Sequence, residues 1–216
     1  MRIQKILENL ISVNYGKREV KDFPKGYESK KSFSGGSFSS VRNDKDPHLV
    51  IKYPYGEGTD GFWKFIEHVV IPNQDSNIFL PKVYNYNILQ KRISEEGYSF
   101  KPYLKMEKLH TVHDVDHENG IHKKISNESL IELYKRLFIT TEKDIKEMSW
   151  MTASEIHEKI AESLRHKVKD EDLKATLNMI YNFCEKYKYN VDLHPGNIMY
   201  RLTPQGPQLV LVDPVY

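Results

Sequence analysis

Asp192 and Asn197 stand five positions apart in the run Asn190-Val-Asp-Leu-His-Pro-Gly-Asn-Ile-Met-Tyr200, and Asp213 follows the apolar run Leu209-Val-Leu-Val212. Two carboxylates and an amide on polar turns between apolar strands form the set that phosphoryl transfer uses. One carboxylate orients the attacking hydroxyl and takes its proton, while an amide oxygen and the second carboxylate hold magnesium on a triphosphate. In that chemistry Asp192 is the base and Asn197 and Asp213 are the metal ligands. A cation on the phosphates completes the set, and Lys52 in the β-branched run Leu49-Val-Ile-Lys-Tyr53 is placed to supply it. A lysine inside an apolar strand needs a partner or a path to water, with protection of a sheet edge as its plain alternative. Glu67, on the helical segment that follows, is the expected ion-pair partner of Lys52. Ahead of the strand, Ser34-Gly-Gly-Ser-Phe-Ser-Ser40 concentrates small residues. A turn at Gly35-Gly36 with Ser37 beside it would bring backbone N–H groups over the phosphates. Taken singly, each feature has an ordinary reading as a polar turn, a hairpin or a solvated helix face.

The elements that must position these residues follow from periodicity. Ile3, Ile6, Leu7, Leu10 and Ile11 predict an amphipathic helix over Ile3–Tyr15, and the charged stretch from Lys17 to Lys31, with Pro24 and Gly26, reads as a connector. Leu49–Tyr53 predicts a strand. Phe62, Phe65, Ile66, Val69 and Val70 predict a helix over Asp60–Ile71 that ends before Pro72. Strands over Lys82–Gln90 and Tyr98–Met106 are separated by Ser94-Glu-Glu-Gly97, which suits a hairpin connection. Beyond Leu109 the period changes. Asn127–Ile139, Ala153–Leu164 and Asp170–Tyr187 predict helices, and Thr152-Ala-Ser-Glu155 has the form of a capping box. The histidine-rich stretch His110–Lys124 reads as a solvated crossing whose spacing fits no metal site well. A strand pair turning at Pro204-Gln-Gly206 closes the order, so the class is α+β, with strands dominating the first half and helices the second.

Composition excludes several functions. The 216 residues carry 32 Lys and Arg against 30 Asp and Glu, a net charge of +2, which leaves no basic footprint for direct nucleic-acid binding. No run approaches the roughly 18 apolar residues of a membrane span. The single cysteine, Cys184, forms no disulfide within the chain, so a reducing, cytoplasmic setting is expected. With 14 Tyr and 9 Phe there are enough large anchors for a packed core.

The order of glycine turn, strand lysine, helix glutamate, Asp-Leu-His-Pro-Gly-Asn loop and strand-exit aspartate resembles the protein-kinase-like superfamily. Asp192–Asn197 looks like its catalytic loop, and Asp213-Pro214-Val215 stands where that family has Asp-Phe-Gly. Within it, the sequence is most similar to the early serine/threonine kinases of T-seven-like podoviruses, through the Gly-Ser-Phe-Ser turn, Val50-Ile51-Lys52 and His194-Pro-Gly-Asn-Ile-Met199. The resemblance implies a bilobal fold, with a β-rich N-lobe over 1–108 and a reduced, mainly helical C-lobe over 109–216. It further implies Mg2+ and ATP as cofactors and serine or threonine hydroxyls of host proteins as acceptors. Separately, Ser37, Ser39 and Ser40 of the small-residue turn are candidate sites of self-phosphorylation, with an ordinary seryl turn as the plain alternative. Met106-Glu107-Lys108-Leu109 becomes the lobe-joining hinge that takes the adenine. His194 takes the place where many such kinases keep a lysine on the transferring phosphate, which makes it a catalytic candidate of weaker positive charge. There are departures. Asn190-Val191 replaces the usual His-Arg, so control through a phosphorylated activation loop is not expected, and only three residues follow Asp213, so acceptor recognition is expected from elsewhere. Two alternatives stay open: a small-molecule kinase of aminoglycoside or atypical type, and a kinase-shaped binding module of weak activity.

Overall fold

The β-branched and aromatic runs of the first half assemble, in the computed structural model, into one six-stranded sheet. The structure describes residues 21–22, 34–36, 39–54, 60–94, 97–112 and 125–216; the helix expected over Ile3–Tyr15, Ser37 and most of the His110–Lys124 stretch lie outside them. The strands are β1 (Lys21–Asp22), β2 (Ser34–Gly36), β3 (Ser39–Asn43), β4 (Leu49–Pro54), β5 (Val83–Ser94) and β6 (Gly97–Glu107). Their order is β1-β5-β6-β4-β3-β2, and every neighbour is antiparallel except the β1–β5 pair. β4 is therefore an interior strand, with Lys52 opposite Val41 on one side and Leu104 on the other. Edge protection is thus not the reason for Lys52.

Gly35 and Gly36 lie in β2 rather than at a turn, paired with Ser40 and Ser39. Without a Cβ, glycine accepts extended backbone as readily as a turn, and the ladder with β3 decides between the two. β5 and β6 run on to a Ser94–Gly97 pair, past the predicted ends at Gln90 and Tyr98, because ladder hydrogen bonds carry polar residues along.

Between β4 and β5 the chain is helical. α1 (Asp60–Phe65) passes into a π-helical turn at Ile66–Val70 and a last turn at Ile71–Asn73. Pro72 was expected to stop this helix, yet it sits inside that last turn. A proline lacks the N–H and crowds the carbonyl four residues back; here it falls in the first turn of the last segment, directly after a π turn in which Ile71 N–H reaches Ile66 O, five residues back.

The second half holds α2 (Asn127–Leu137), α3 (Glu142–Met148), α4 (Ala153–Ser163) and α5 (Glu171–Tyr187), then the hairpin β7 (Ile198–Thr203) and β8 (Gly206–Leu211). The Thr152–Glu155 box caps α4 in both directions, and Asp170 caps α5 by accepting from Leu173 N–H at 2.9 Å. α2 ends at Leu137, two residues before the predicted Ile139, because Phe138 turns extended to bridge Val168. One buried cluster runs through both halves, from Phe65, Phe79 and Leu104 to Tyr134, Ile156, Ile180 and Leu211. No helix among the described residues is long and apolar enough to cross a membrane.

Candidate active site

The loop Asn190–Asn197 is set by backbone pairing at both ends. Asn190 exchanges hydrogen bonds with Tyr216, and Asp192 N–H donates to Pro214 O at 2.9 Å, so the segment before Asp192 runs antiparallel to the one after Asp213. Val191 and Val215 bridge between them. At the other end β7 begins directly after Asn197, and Val212 N–H donates to Asn197 O at 3.0 Å. The hairpin register, Ile198 against Leu211, thus seats Asp213 beside the loop. Within the loop Leu193 is buried while Asp192 is half-buried and His194 exposed, so one apolar anchor presents its two polar neighbours to the open side.

Asn197 Nδ2 donates to Asp192 O at 3.0 Å. That bond turns the amide so that its oxygen, which accepts from no donor among the described residues, is left for another partner. His194 Nδ1 accepts from Gly196 N–H at 2.9 Å, and its Nε2 lies 3.5 Å from Asp192 Oδ2. Gly196 has to be glycine for this: a Cβ there would lie 2.6 Å from His194 Cε1.

Lys52 reaches the same place from the sheet. Its Nζ lies 2.9 Å from Asp213 Oδ2 and 4.2 Å from the centre of the Phe62 ring, and the residue is 8% exposed. A buried ammonium is costly unless paired, and here a carboxylate and an aromatic face share the task. Glu67 does not pair with Lys52. Its Oε1 accepts from Tyr86 Oη at 2.9 Å. The cause lies in how the helical segment is held: Phe65 packs edge-on to Phe183, His68 stacks on Tyr187, and Lys64 donates to Tyr189 Oη at 3.1 Å. The α5 side fixes the helix, the π turn sets Glu67, and the lysine is left to Asp213.

The stretch Met106–Leu109 closes β6. Met106 and Leu109 are buried, and the Glu107 carboxylate is fully engaged, by Arg201 Nε at 2.7 Å, Arg201 Nη2 at 2.5 Å and Lys82 N–H at 2.8 Å. Arg201 also donates to Ile78 O and Leu80 O. The Glu107 N–H is engaged as well, donating to Lys82 O at 3.0 Å.

No protein family, curated protein or solved structure matches the chain. The structure brings Lys52, Asp192, His194, Asn197 and Asp213 together, and leaves Glu67 turned to Tyr86. It places Gly35 and Gly36 on a strand, and Ser37 lies outside the described residues. Three contributors were not legible in the sequence: Arg201, which locks Glu107; Phe62, under Lys52; and His157, whose ring touches Tyr200 Oη and Pro195 O. The only hint for His157 was its position between the apolar Ile156 and Ile160 of an amphipathic helix.

Among the described residues no group of three or more His, Cys, Asp or Glu offers a self-sufficient metal cage. The donors at hand are the amide oxygen of Asn197 and the Asp213 carboxylate, hard oxygens that suit magnesium when phosphates and water complete the shell.

Proposed function

We propose that the chain is a Mg–ATP-dependent phosphotransferase of protein-kinase-like, two-lobed organisation, acting on serine or threonine hydroxyls of proteins in a cytoplasmic setting. The observation that carries the proposal is the meeting of Lys52 and Asp213, 161 residues apart in sequence, beside a loop whose Asn197 amide is bonded to the backbone of Asp192. An interior-strand lysine, a carboxylate and an amide oxygen around a second carboxylate have distinct jobs in one reaction and no common structural job. The order of β2 to β6 in the sheet, with a helix between β4 and β5, supports the same reading.

Bound Mg–ATP supplies the electrophilic γ-phosphoryl group and the neutralising charge. The chain's own residues do the rest. Asn197 Oδ1 and Asp213 are the oxygens that would hold the cation. Lys52 balances phosphate charge from a site where Phe62 excludes water, which strengthens the attraction. Asp192, half-buried, accepts the hydrogen bond of the attacking hydroxyl and takes its proton as the bond to phosphorus forms and the ADP oxygen leaves. His194 holds an N–H beside that carboxylate and keeps it turned to the acceptor.

The test is transfer of labelled γ-phosphate by the purified chain, alone and with cell lysate, for wild type and Asp192→Ala. Label on protein serine or threonine should fall by about 10²–10⁴ in the variant, while Mg–ATP affinity stays within about twofold, because the base acts on the acceptor. Failure of the wild type to bind Mg–ATP, or transfer indifferent to Asp192, would overturn the proposal. Label on a metabolite alone would keep the phosphotransferase and replace its acceptor.

A further inference from the structure

The geometry points to His157 as the positioning residue of the loop that carries Asp192 and Asn197, an inference whose catalytic consequence rests on the phosphotransfer reading above. His157 stands on α4 between the fully buried Ile156 and Ile160. Its Nε2 lies 3.0 Å from Pro195 O and its Nδ1 2.6 Å from Tyr200 Oη. A carbonyl only accepts, so Nε2 carries a proton. In the neutral ring Nδ1 is then the lone pair, and the Tyr200 hydroxyl donates to it. Tyr200 is suited to fix that tautomer: it is fully buried, its backbone bonds to His110 in both directions, and burial pushes its phenol up, away from ionisation.

The grip falls on a single peptide plane. Pro195 O belongs to the same peptide unit as Gly196 N–H. His157 Nε2–H holds the oxygen, and His194 Nδ1 holds the N–H at 2.9 Å. One imidazole donates, the other accepts, and the plane between them has no freedom to rotate. The three-residue turn Pro195–Asn197 has few bonds of its own, from Ile198 N–H to Pro195 O and from Asn197 N–H to His194 O. The clamped plane sets the direction in which Asn197 leaves for Asp192 O, and it holds the His194 ring beside Asp192. His157 acts on the loop through Pro195.

The experiment uses the full chain as wild type, His157→Ala and His157→Gln, because the glutamine amide N–H reaches the place of the imidazole Nε2–H. Three quantities are read: the His157 tautomer by nitrogen-15 NMR, hydrogen exchange at the Gly196 and Asn197 amides, and phosphate transfer resolved into kcat and KM. The expected results are an Nε2–H tautomer in the wild type, and about tenfold faster exchange at both amides in His157→Ala. The kcat should fall about 10- to 100-fold, with KM for ATP within about twofold, and His157→Gln should restore most of it. An Nδ1–H tautomer, or a folded His157→Ala with unchanged exchange and kcat, overturns the proposal. Should His157→Ala fail to fold, the wild-type tautomer and the glutamine variant decide the matter. A wild type that transfers no phosphate, while its amides still depend on His157, refutes the phosphotransfer reading and leaves the clamp standing.

Discussion

Breaking the Lys52–Asp213 pair is the perturbation whose size can be worked from the geometry. At 2.9 Å the attraction is about 6 kcal/mol for an effective dielectric near 20, and desolvation of the ammonium offsets much of it. The two side chains are unequal, 10% exposed for Lys52 and 32% for Asp213. Lys52→Met leaves a carboxylate that water still reaches, so the loss should lie below the roughly 3–5 kcal/mol of a fully buried orphan, at about 2 kcal/mol. Asp213→Asn leaves the better-buried ammonium with only the Phe62 ring, and should cost about 3 kcal/mol. The double variant should cost less than the sum, because neither charge remains to be orphaned, giving a coupling of about 2 kcal/mol in a double-mutant cycle. For a chain of this size each kcal/mol moves Tm by about 2–4 °C, so thermal and urea unfolding of the four proteins resolve the effect. Mg–ATP adds a second readout. At about 100 times its Kd it should stabilise the wild type by about 2.7 kcal/mol, and Lys52→Met should remove most of that shift. Strict additivity of the single variants would show that the pair does not exist in solution. A ligand shift untouched by Lys52→Met would remove Lys52 from the phosphates.

Other consequences are simpler to read. In Gly196→Ala the new Cβ would lie 2.6 Å from His194 Cε1, so the ring must swing away from Asp192; stability should drop only about 1 kcal/mol, while transfer falls and the His194 nitrogen-15 shifts lose the signature of an acceptor Nδ1. Burial holds the Tyr200 phenol above its ordinary value near 10, so its contribution is complete below that pH and is lost as the pH rises beyond it; alkaline unfolding should begin there and be blunted in Tyr200→Phe. Hydrogen bonds from the Thr141 hydroxyl and backbone lower Asp144, and those from the Thr152 backbone and hydroxyl lower Glu155. These caps are therefore intact above the ordinary carboxylate pKa and fail as the pH falls through the lowered folded values, so helical circular dichroism should decline in that acid window and earlier in Thr152→Ala.

What the sequence disclosed is what local rules govern. Thr152 announces its helix because a cap is a contact between near neighbours. α3 went unseen for a local reason too: it is seven residues long, and its box closes on Asp144 rather than on Glu or Gln. The site was legible as a list of chemistries in order, Lys52, Asp192, Asn197 and Asp213, and not as a set of pairings. Nothing near Glu67 in the sequence says that Tyr86 would claim its carboxylate or that a π turn would set its direction, because both follow from how Phe65 and His68 seat on α5. The bonds of Arg201 to Glu107 and of His157 to Pro195 span 94 and 38 residues, and only the assembled core brings such partners within reach.

The way the sheet joins the β7–β8 hairpin differs between the two ends of the site. At the β6 end the junction is made of many fixed bonds: Arg201 to Glu107, Ile78 O and Leu80 O, His110 with Tyr200 in both directions, and Leu211 N–H to Phe79 O at 2.9 Å. Most of these involve backbone groups, whose hydrogen bonds would be lost if the junction were pulled apart. At the Lys52 end the link to Asp213 is an ion pair, and in the proposed reaction each partner would have another charge to serve: phosphate oxygens for the ammonium, a divalent cation for the carboxylate. A ligand carrying both charges can therefore exchange partners at this end with little net electrostatic loss, while the β6 end keeps its bonds. The register of the two halves is held where no chemistry is expected, and the adjustable contact lies where the phosphates would sit.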